Sequence, residues 1–357
     1  MNKKLLFAAI GAGAISVSLL APAASADPVG APTYRYLPGG GSDTTEEVMQ
    51  AMAEVITYDR DGAGGNPAEL ILGNYNALGP AFDSRDPATL PAGKSCNYLE
   101  ATATSGNGPG KRPNGSSAGR DRLVEASQAG NAREGCLDWA RSSSGPPSTA
   151  LPVQLTYIPF GVEAFSYAVR SDSTISRTLS VAQLKSVYQS NQPNCPIIPL
   201  LPQTGSGTRP AWIAALGITE ATKGTCVRDT WVNPSNGLTE NIQEHDGRPL
   251  LAKNELVPYS VAQFSAQQAG VITDKRGRSV IAAPGGLPAQ GTNPAATITR
   301  KLYNLIPTSK VGNPSFPELN AVFVGSGSSV CQQGAIINKL GISQIADCGS
   351  TSLTSTP

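Results

Sequence analysis

Helical spacing of apolar residues is clearest between residues 42 and 56, where Val48, Met52, Val55 and Ile56 share one face of a 3.6-residue period. The stretch begins SDTTEE, so Asp43 with Glu46, or Thr44 with Glu47, can form a capping box at its start. The same spacing predicts helices over 115–130, over 178–190 with Leu184 and Val187 inward, and over 259–270. Another starts near Pro210, with Trp212, Ile213 and Leu216 inward, and one more lies between the last two cysteines. The polar run ENIQEHDG reads as a further helix start with His245 on the surface. β-Branched and aromatic residues predict short strands within 136–147 and 196–202, two strands crossing a sheet within 153–170, and a strand within 295–309. Residues 60–95 are rich in Gly, Pro and Asp and read as irregular. Their neighbourhood holds Asp59, Asp61, Asp83 and Asp86, whose spacing matches no EF-hand and fits a solvated acidic loop. Strands alternating with helices predict an α/β fold.

Four clusters of small residues punctuate this pattern: GGGSDTT, PNGSSAG, ARSSSGP and TGSGTRP. Three of them open predicted helices. A hydroxyl at such a junction can cap the helix. The same junction also presents backbone N–H groups and partial positive charge, which suit an anion. In α/β sheets these helix starts converge at the carboxyl ends of strands. Four clusters in one chain therefore predict a polar-ligand or oxyanion site.

Composition adds a compartment. Lys3 and Lys4 precede an apolar stretch from Leu5 to Leu20, and Ala24-Ser25-Ala26 precedes Asp27. This is a signal-peptide pattern over residues 1–26, so the protein is expected to be secreted, extracellular or periplasmic. The first cysteine is Cys96, too far along to carry a lipid anchor at the new N-terminus. The whole chain has 27 basic and 26 acidic residues. Near-neutral charge excludes bulk nucleic-acid binding, and no later run reaches the ~20 apolar residues of a membrane span. Six cysteines in an exported chain predict disulfides, and pairing along the chain gives Cys96–Cys136, Cys195–Cys226 and Cys331–Cys348. With one histidine and no CxxC, no metal or cofactor is expected.

The clusters, taken in order, resemble those of the phosphate-type solute-binding proteins of ABC transporters, which have two-lobed type II periplasmic-binding folds. The family's Gly-Ser-Gly-Thr-Ser turn corresponds to Gly205-Ser206-Gly207-Thr208-Arg209, and its Gly-Ser-Ser-Gly-Gly loop to Gly115-Ser116-Ser117-Ala118-Gly119. Its N-terminal Gly-rich turn corresponds to Gly41-Ser42-Asp43-Thr44, and its strand ending in Ala-Ser-Asp to LDWARSS. The resemblance implies that Ser42, Thr44, Ser116, Ser206, Gly207 and Thr208 hold oxyanion oxygens, with Asp43, Ser117, Ser142 and Ser143 beside them. Two family residues are replaced: the proton-accepting Asp falls on Ser143 and the Arg before the glycine turn falls on Pro202. Arg141 and Arg209 are the nearby cations that can replace that Arg. The resemblance also implies a monomer, no chemistry on the ligand, and an ABC permease as a candidate partner. It places lobe 1 at 27–168, lobe 2 at 169–300, and a return to lobe 1 over 301–357.

Two other classes remain open. Gly115-Ser116-Ser117-Ala118-Gly119 also fits G-x-S-x-G, which would make Ser117 a hydrolase nucleophile and His245 its base, with Asp138 or Asp229 behind. That elbow needs a strand directly before it, whereas GNGPGKRPN reads as a loop. A cell-surface module that keeps the fold without ligand binding is the third class.

Overall fold

The computed structural model describes residues 27–28, 34–60, 68–105, 107–286 and 298–357. The leader over 1–26 and Asp61 lie outside the described residues. In chain order the principal elements begin with β1 (Leu37–Gly41), α1 (Glu46–Ala53), β2 (Leu72–Asn74), α2 (Ser116–Ser127), β3 (Trp139–Ser142) and β4 (Leu155–Arg170). There follow α3 (Val181–Tyr188), β5 (Ile198–Pro199), α4 (Thr208–Ala215), β6 (Glu255–Ser260), α5 (Val261–Gln268) and β7 (Ser279–Ile281). The chain then returns through β8 (Thr299–Pro307), α6 (Pro317–Phe323), α7 (Gly334–Lys339) and β9 (Ser343–Gln344).

The strands run β2-β1-β3-β8-β4-β6-β5, with β7 and β9 also pairing to β4. β1 is parallel to both β2 and β3, and β8 is antiparallel to β3 and β4. The expected α/β architecture is present, in two lobes joined by β4. Residues 155–164 of β4 pair with β8, while 165–169 pair with β6. This corrects the expectation of two strands within 153–170. Pro159 and Gly161 read as a break, but they sit opposite a bulge between Leu302 and Tyr303, so one strand passes through.

Each lobe has its own core. On one side Val48, Met52, Trp139, Phe160 and Phe323 are buried together; on the other Phe165, Tyr167, Leu184, Trp212 and Leu256 are. Apolar periodicity selects these faces correctly in α3 and α4. In α1 it overreaches: the helix ends at Ala53, and Val55 is exposed. Another miss is β2, which lies in the segment read as irregular and forms the sheet edge beside β1. ENIQEHDG forms no helix; Thr239–Asn241 is extended and His245 takes a positive φ of 53°. The three disulfides join Cys96 to Cys136, Cys195 to Cys226 and Cys331 to Cys348.

α2 meets β1 at backbone contact. A Cβ on Gly119 would lie 2.6 Å from the Gly41 Cα, so only glycine allows the helix start to sit so deep. That approach carries the α2 N-terminus into the seam between the lobes.

Candidate functional site

Two helix starts at the seam differ from one away from it. Ser180 caps α3 in a full capping box with Gln183. α1 and α2 start at Thr45 and Gly115 without any side-chain cap. Neither capping box proposed for α1 forms. The Thr44 hydroxyl instead reaches across the seam, Glu46 accepts from the Ala77 N–H, and Glu47 accepts from Gln263. Hydroxyls placed at a junction but not spent on capping are free for another partner.

That partner is Glu244, a buried residue of the loop before β6. Its Oε2 accepts a 2.6 Å hydrogen bond from the Thr44 hydroxyl, and its Oε1 accepts one of 3.2 Å from the Thr208 N–H at the start of α4. Ser206 Oγ accepts from the Thr208 and Arg209 N–H groups, at 3.1 and 3.2 Å. Arg300 donates from Nη2 to the hydroxyls of Thr44 and Thr208, at 3.0 and 3.2 Å. Burial alone would raise the Glu244 carboxyl. The neighbouring polar groups of His245 and Ser206 and the charge of Arg300 outweigh it and hold the group well below the usual carboxylate range.

His245 is buried, not on the surface as its polar neighbours suggested. Its Nδ1 accepts from the Ser260 N–H at 3.3 Å, so the ring proton belongs on Nε2, which lies 2.8 Å from the Thr44 oxygen. Arg300 is fixed by Glu163, its register partner across β8 and β4, through a 2.6 Å bond from Nε to Oε1. Its guanidinium also lies 4.0 Å from the centroid of the Phe165 ring.

A second group of hydroxyls adjoins this one. Ser42 Oγ is 2.9 Å and Ser116 Oγ is 3.2 Å from Ser143 Oγ, and the Ser143 N–H donates to Ser116 Oγ at 2.9 Å. Gly207 faces them so closely that a Cβ there would fall 2.2 Å from Ser116 Oγ and 2.3 Å from Ser143 Oγ. The loops touch elsewhere too: the Ser117 N–H donates to the Gly205 carbonyl at 3.2 Å and Asn114 donates to Gln243 at 3.1 Å. A polar, tightly packed seam results.

Behind it lies an acidic cluster. Asp43, Glu47, Glu244, His245 and Lys275 line a cavity of about 10 Å³, the size of a single water position. Burial pushes Asp43 up to about 6; Lys275 and His245 oppose this while Glu46 and Glu244 add to it. Lys275 is raised in turn, chiefly by Asp43.

Of the residues singled out in the sequence, Ser42, Thr44, Ser116, Ser143, Ser206, Gly207 and Thr208 meet at this seam. Asp43 lines the cavity behind it, and Ser117 lines a wider cavity at its mouth. Three assignments need correction. Arg141 is wholly buried behind β1, where it donates to the carbonyls of Ser42 and Tyr75 and to Asn74, so it tethers the loop and does not face a ligand. Arg209 is committed to Glu220, Asp229 and the Pro202 carbonyl. The Ser142 hydroxyl donates to the Ser144 carbonyl. The cation facing the seam is Arg300, which sequence reasoning missed along with Glu244 and Glu163. A signal existed: Ile298, Arg300 and Leu302 alternate on the inward face of a strand, and an inward charge calls for a buried partner. The hydrolase geometry does not form. His245 bonds to Thr44 and Ser260, and Ser117 lies at the start of a helix that no strand directly precedes.

The architecture has counterparts among solved structures. A Clostridium perfringens protein assigned as a phosphate ABC transporter substrate-binding protein, with bound phosphate, aligns at a TM-score of 0.51 and 13% identity. The alignment covers 87% of this chain and 99% of that one. An ABC-type phosphate transport receptor from Vibrio cholerae gives 0.48 at 12% identity, covering 87% and 100%. No family model matches the chain, and no curated protein is significantly similar in sequence. The Clostridium likeness shows the fold: two lobes, built as in periplasmic binding proteins.

Proposed function

We propose that this chain is an exported solute-binding protein that captures a small oxyanion, phosphate foremost, between two hinged lobes for uptake or sensing. One observation carries the reading. The carboxylate of Glu244 is itself an oxyanion, and it already sits where hydroxyls and helix-start amides from both sides of the seam converge. Neutral donors in a dry, preformed array suit an anion without depending on a matching counter-charge. An incoming oxyanion exchanges with that carboxylate and takes over its donors. Ligand contacts on both lobes then favour the closed arrangement over an open one. The proposed hinge is the pair of crossings at β4 and β8, with lobe boundaries near residues 168 and 300. An ABC permease is the partner this role requires if uptake is the purpose.

The deep burial of Glu244 favours a second reading, in which the carboxylate is a permanent bridge and the fold serves as a surface module. Calorimetry of dialysed protein against sodium phosphate and sodium sulfate separates the two. The binding reading expects saturable heat that Thr208→Val and Ser116→Ala each weaken at least tenfold. Absence of heat with both salts, in the parent and in Glu244→Ala, establishes the bridge instead.

A further inference from the structure

Beside the cradle, at the outer mouth of the seam, a cavity of about 510 Å³ opens. Ser143 and Arg300 belong to both: each takes part in the polar network of the seam and each lines the cavity. Ser117, Ser144 and Tyr303 add hydroxyls, and Pro146, Pro147 and Pro210 add apolar surface. Among the described residues, none that line this space is acidic. Its two rim cations, Arg120 and Lys301, pair outward with Asp121 and Asp347 at 2.7 and 2.5 Å. Arg300 is nine-tenths buried, yet its Nη1 has no hydrogen-bond partner. A buried guanidinium N–H left unbonded is costly; it is closed off from solvent in this arrangement, so an acceptor on a ligand reaches it only as the lobes part.

From this geometry we infer that the ligand is an organic phosphomonoester of sugar size rather than a bare ion. Its headgroup lies against Arg300 and the Ser143 hydroxyl, and its polyol body fills the mouth. The inference rests on the oxyanion reading above and deepens it. A volume of this order suits a small organic molecule and far exceeds what a tetrahedral ion fills. Hydroxyls can donate to and accept from sugar hydroxyls, and the proline faces cover the apolar sides of a ring. Among the described lining residues there is no carboxylate to repel the headgroup; the one held on Arg300, Glu163, is engaged in that ion pair.

Gly145 supplies the test, because it lines the mouth and a Cβ built on it meets no heavy atom within 4 Å. Gly145→Trp therefore has room at its Cβ and sets a bulky ring at the mouth, with thermal melts confirming that the variant is folded. Glucose 6-phosphate, orthophosphate and glucose are titrated by calorimetry into the parent and into this variant. The inference expects glucose 6-phosphate to bind at least tenfold tighter than orthophosphate. It expects Gly145→Trp to abolish that advantage while leaving orthophosphate affinity unchanged. Orthophosphate binding as tightly as the ester, or an ester affinity that survives Gly145→Trp, overturns the inference and leaves the oxyanion reading standing. Glucose binding as tightly as its phosphate also overturns it, since the headgroup would then play no part. If neither phosphate binds, the oxyanion reading falls and takes this inference with it.

Discussion

Removing the Glu244 carboxylate is the sharpest perturbation available. Two donors reach it at hydrogen-bond distance, the Thr44 hydroxyl and the Thr208 N–H. Hydrogen bonds to a charged group contribute about 1.5–3 kcal/mol each, net of the hydration they replace, so the two together give roughly 3–6 kcal/mol. The lower bound of that hold is about 3 kcal/mol. An oxyanion that must displace this carboxylate is weakened by about that amount, on the order of a hundredfold in Kd. Glu244→Ala should accordingly raise phosphate affinity about a hundredfold. Glu244→Gln keeps the shape but replaces charge-assisted bonds by neutral ones of roughly half the strength, and should give about tenfold. The assay is calorimetry with sodium phosphate at pH 7.5, alongside thermal melts to confirm that each variant is folded. Folded variants that bind phosphate no better than the parent, or less well, would refute the competition between Glu244 and ligand.

Closure of the seam is expected to depend on Gly207: Gly207→Ala places a methyl 2.2 Å from Ser116 Oγ, and should cut phosphate affinity tenfold or more with little change in melting temperature. Asp43 is raised to about 6 by burial, so its contribution to stability is fully present below its unfolded value near 4 and fades as pH rises through 6. Asp43→Asn should flatten that decline in melts between pH 4 and 8, and raise the melting temperature at pH 8. Glu244 works in the opposite sense: held below the usual range, it stabilises above its unfolded value and that stability is lost as pH falls through its folded value. The parent should therefore be more stable than Glu244→Gln near neutral pH, and melts should show that advantage shrinking as pH falls. Replacing Cys96 and Cys136 by Ala opens a loop spanning 40 residues, worth about 4 kcal/mol by chain entropy, and urea melts should show a loss of that order.

Much of the scaffold was legible because its determinants are local. The inward residues of α3 and α4 follow from apolar spacing, and the nearest-neighbour cysteine pairing follows from the chain order. The glycine and hydroxyl clusters correctly marked where loops meet helices. What they could not reveal is which hydroxyl caps and which crosses the seam. Thr44 and Glu244 are 200 residues apart, and no local pattern encodes that pairing. The histidine was misplaced for a related reason. Gln, Glu, His and Asp in succession look solvated, yet the loop turns inward at His245, where Gln243, Glu244 and His245 find distant partners while Asp246 pairs with the nearby Arg248. Arg141 and Arg209 were plausible by proximity in sequence, but their guanidinium groups are saturated by the loops they fasten.

The uninterrupted run of β4 has a consequence for dissecting the molecule. Its first ten residues are zipped to a segment near the end of the chain, and its remainder to one more than eighty positions downstream. A gene fragment stopping near residue 168 would strand both edges of that ribbon unpaired, and should yield insoluble material in place of a miniature receptor. Insertions of a reporter domain, by contrast, belong on outer loops such as Asn233–Gly237, where nothing about the shared ribbon is disturbed.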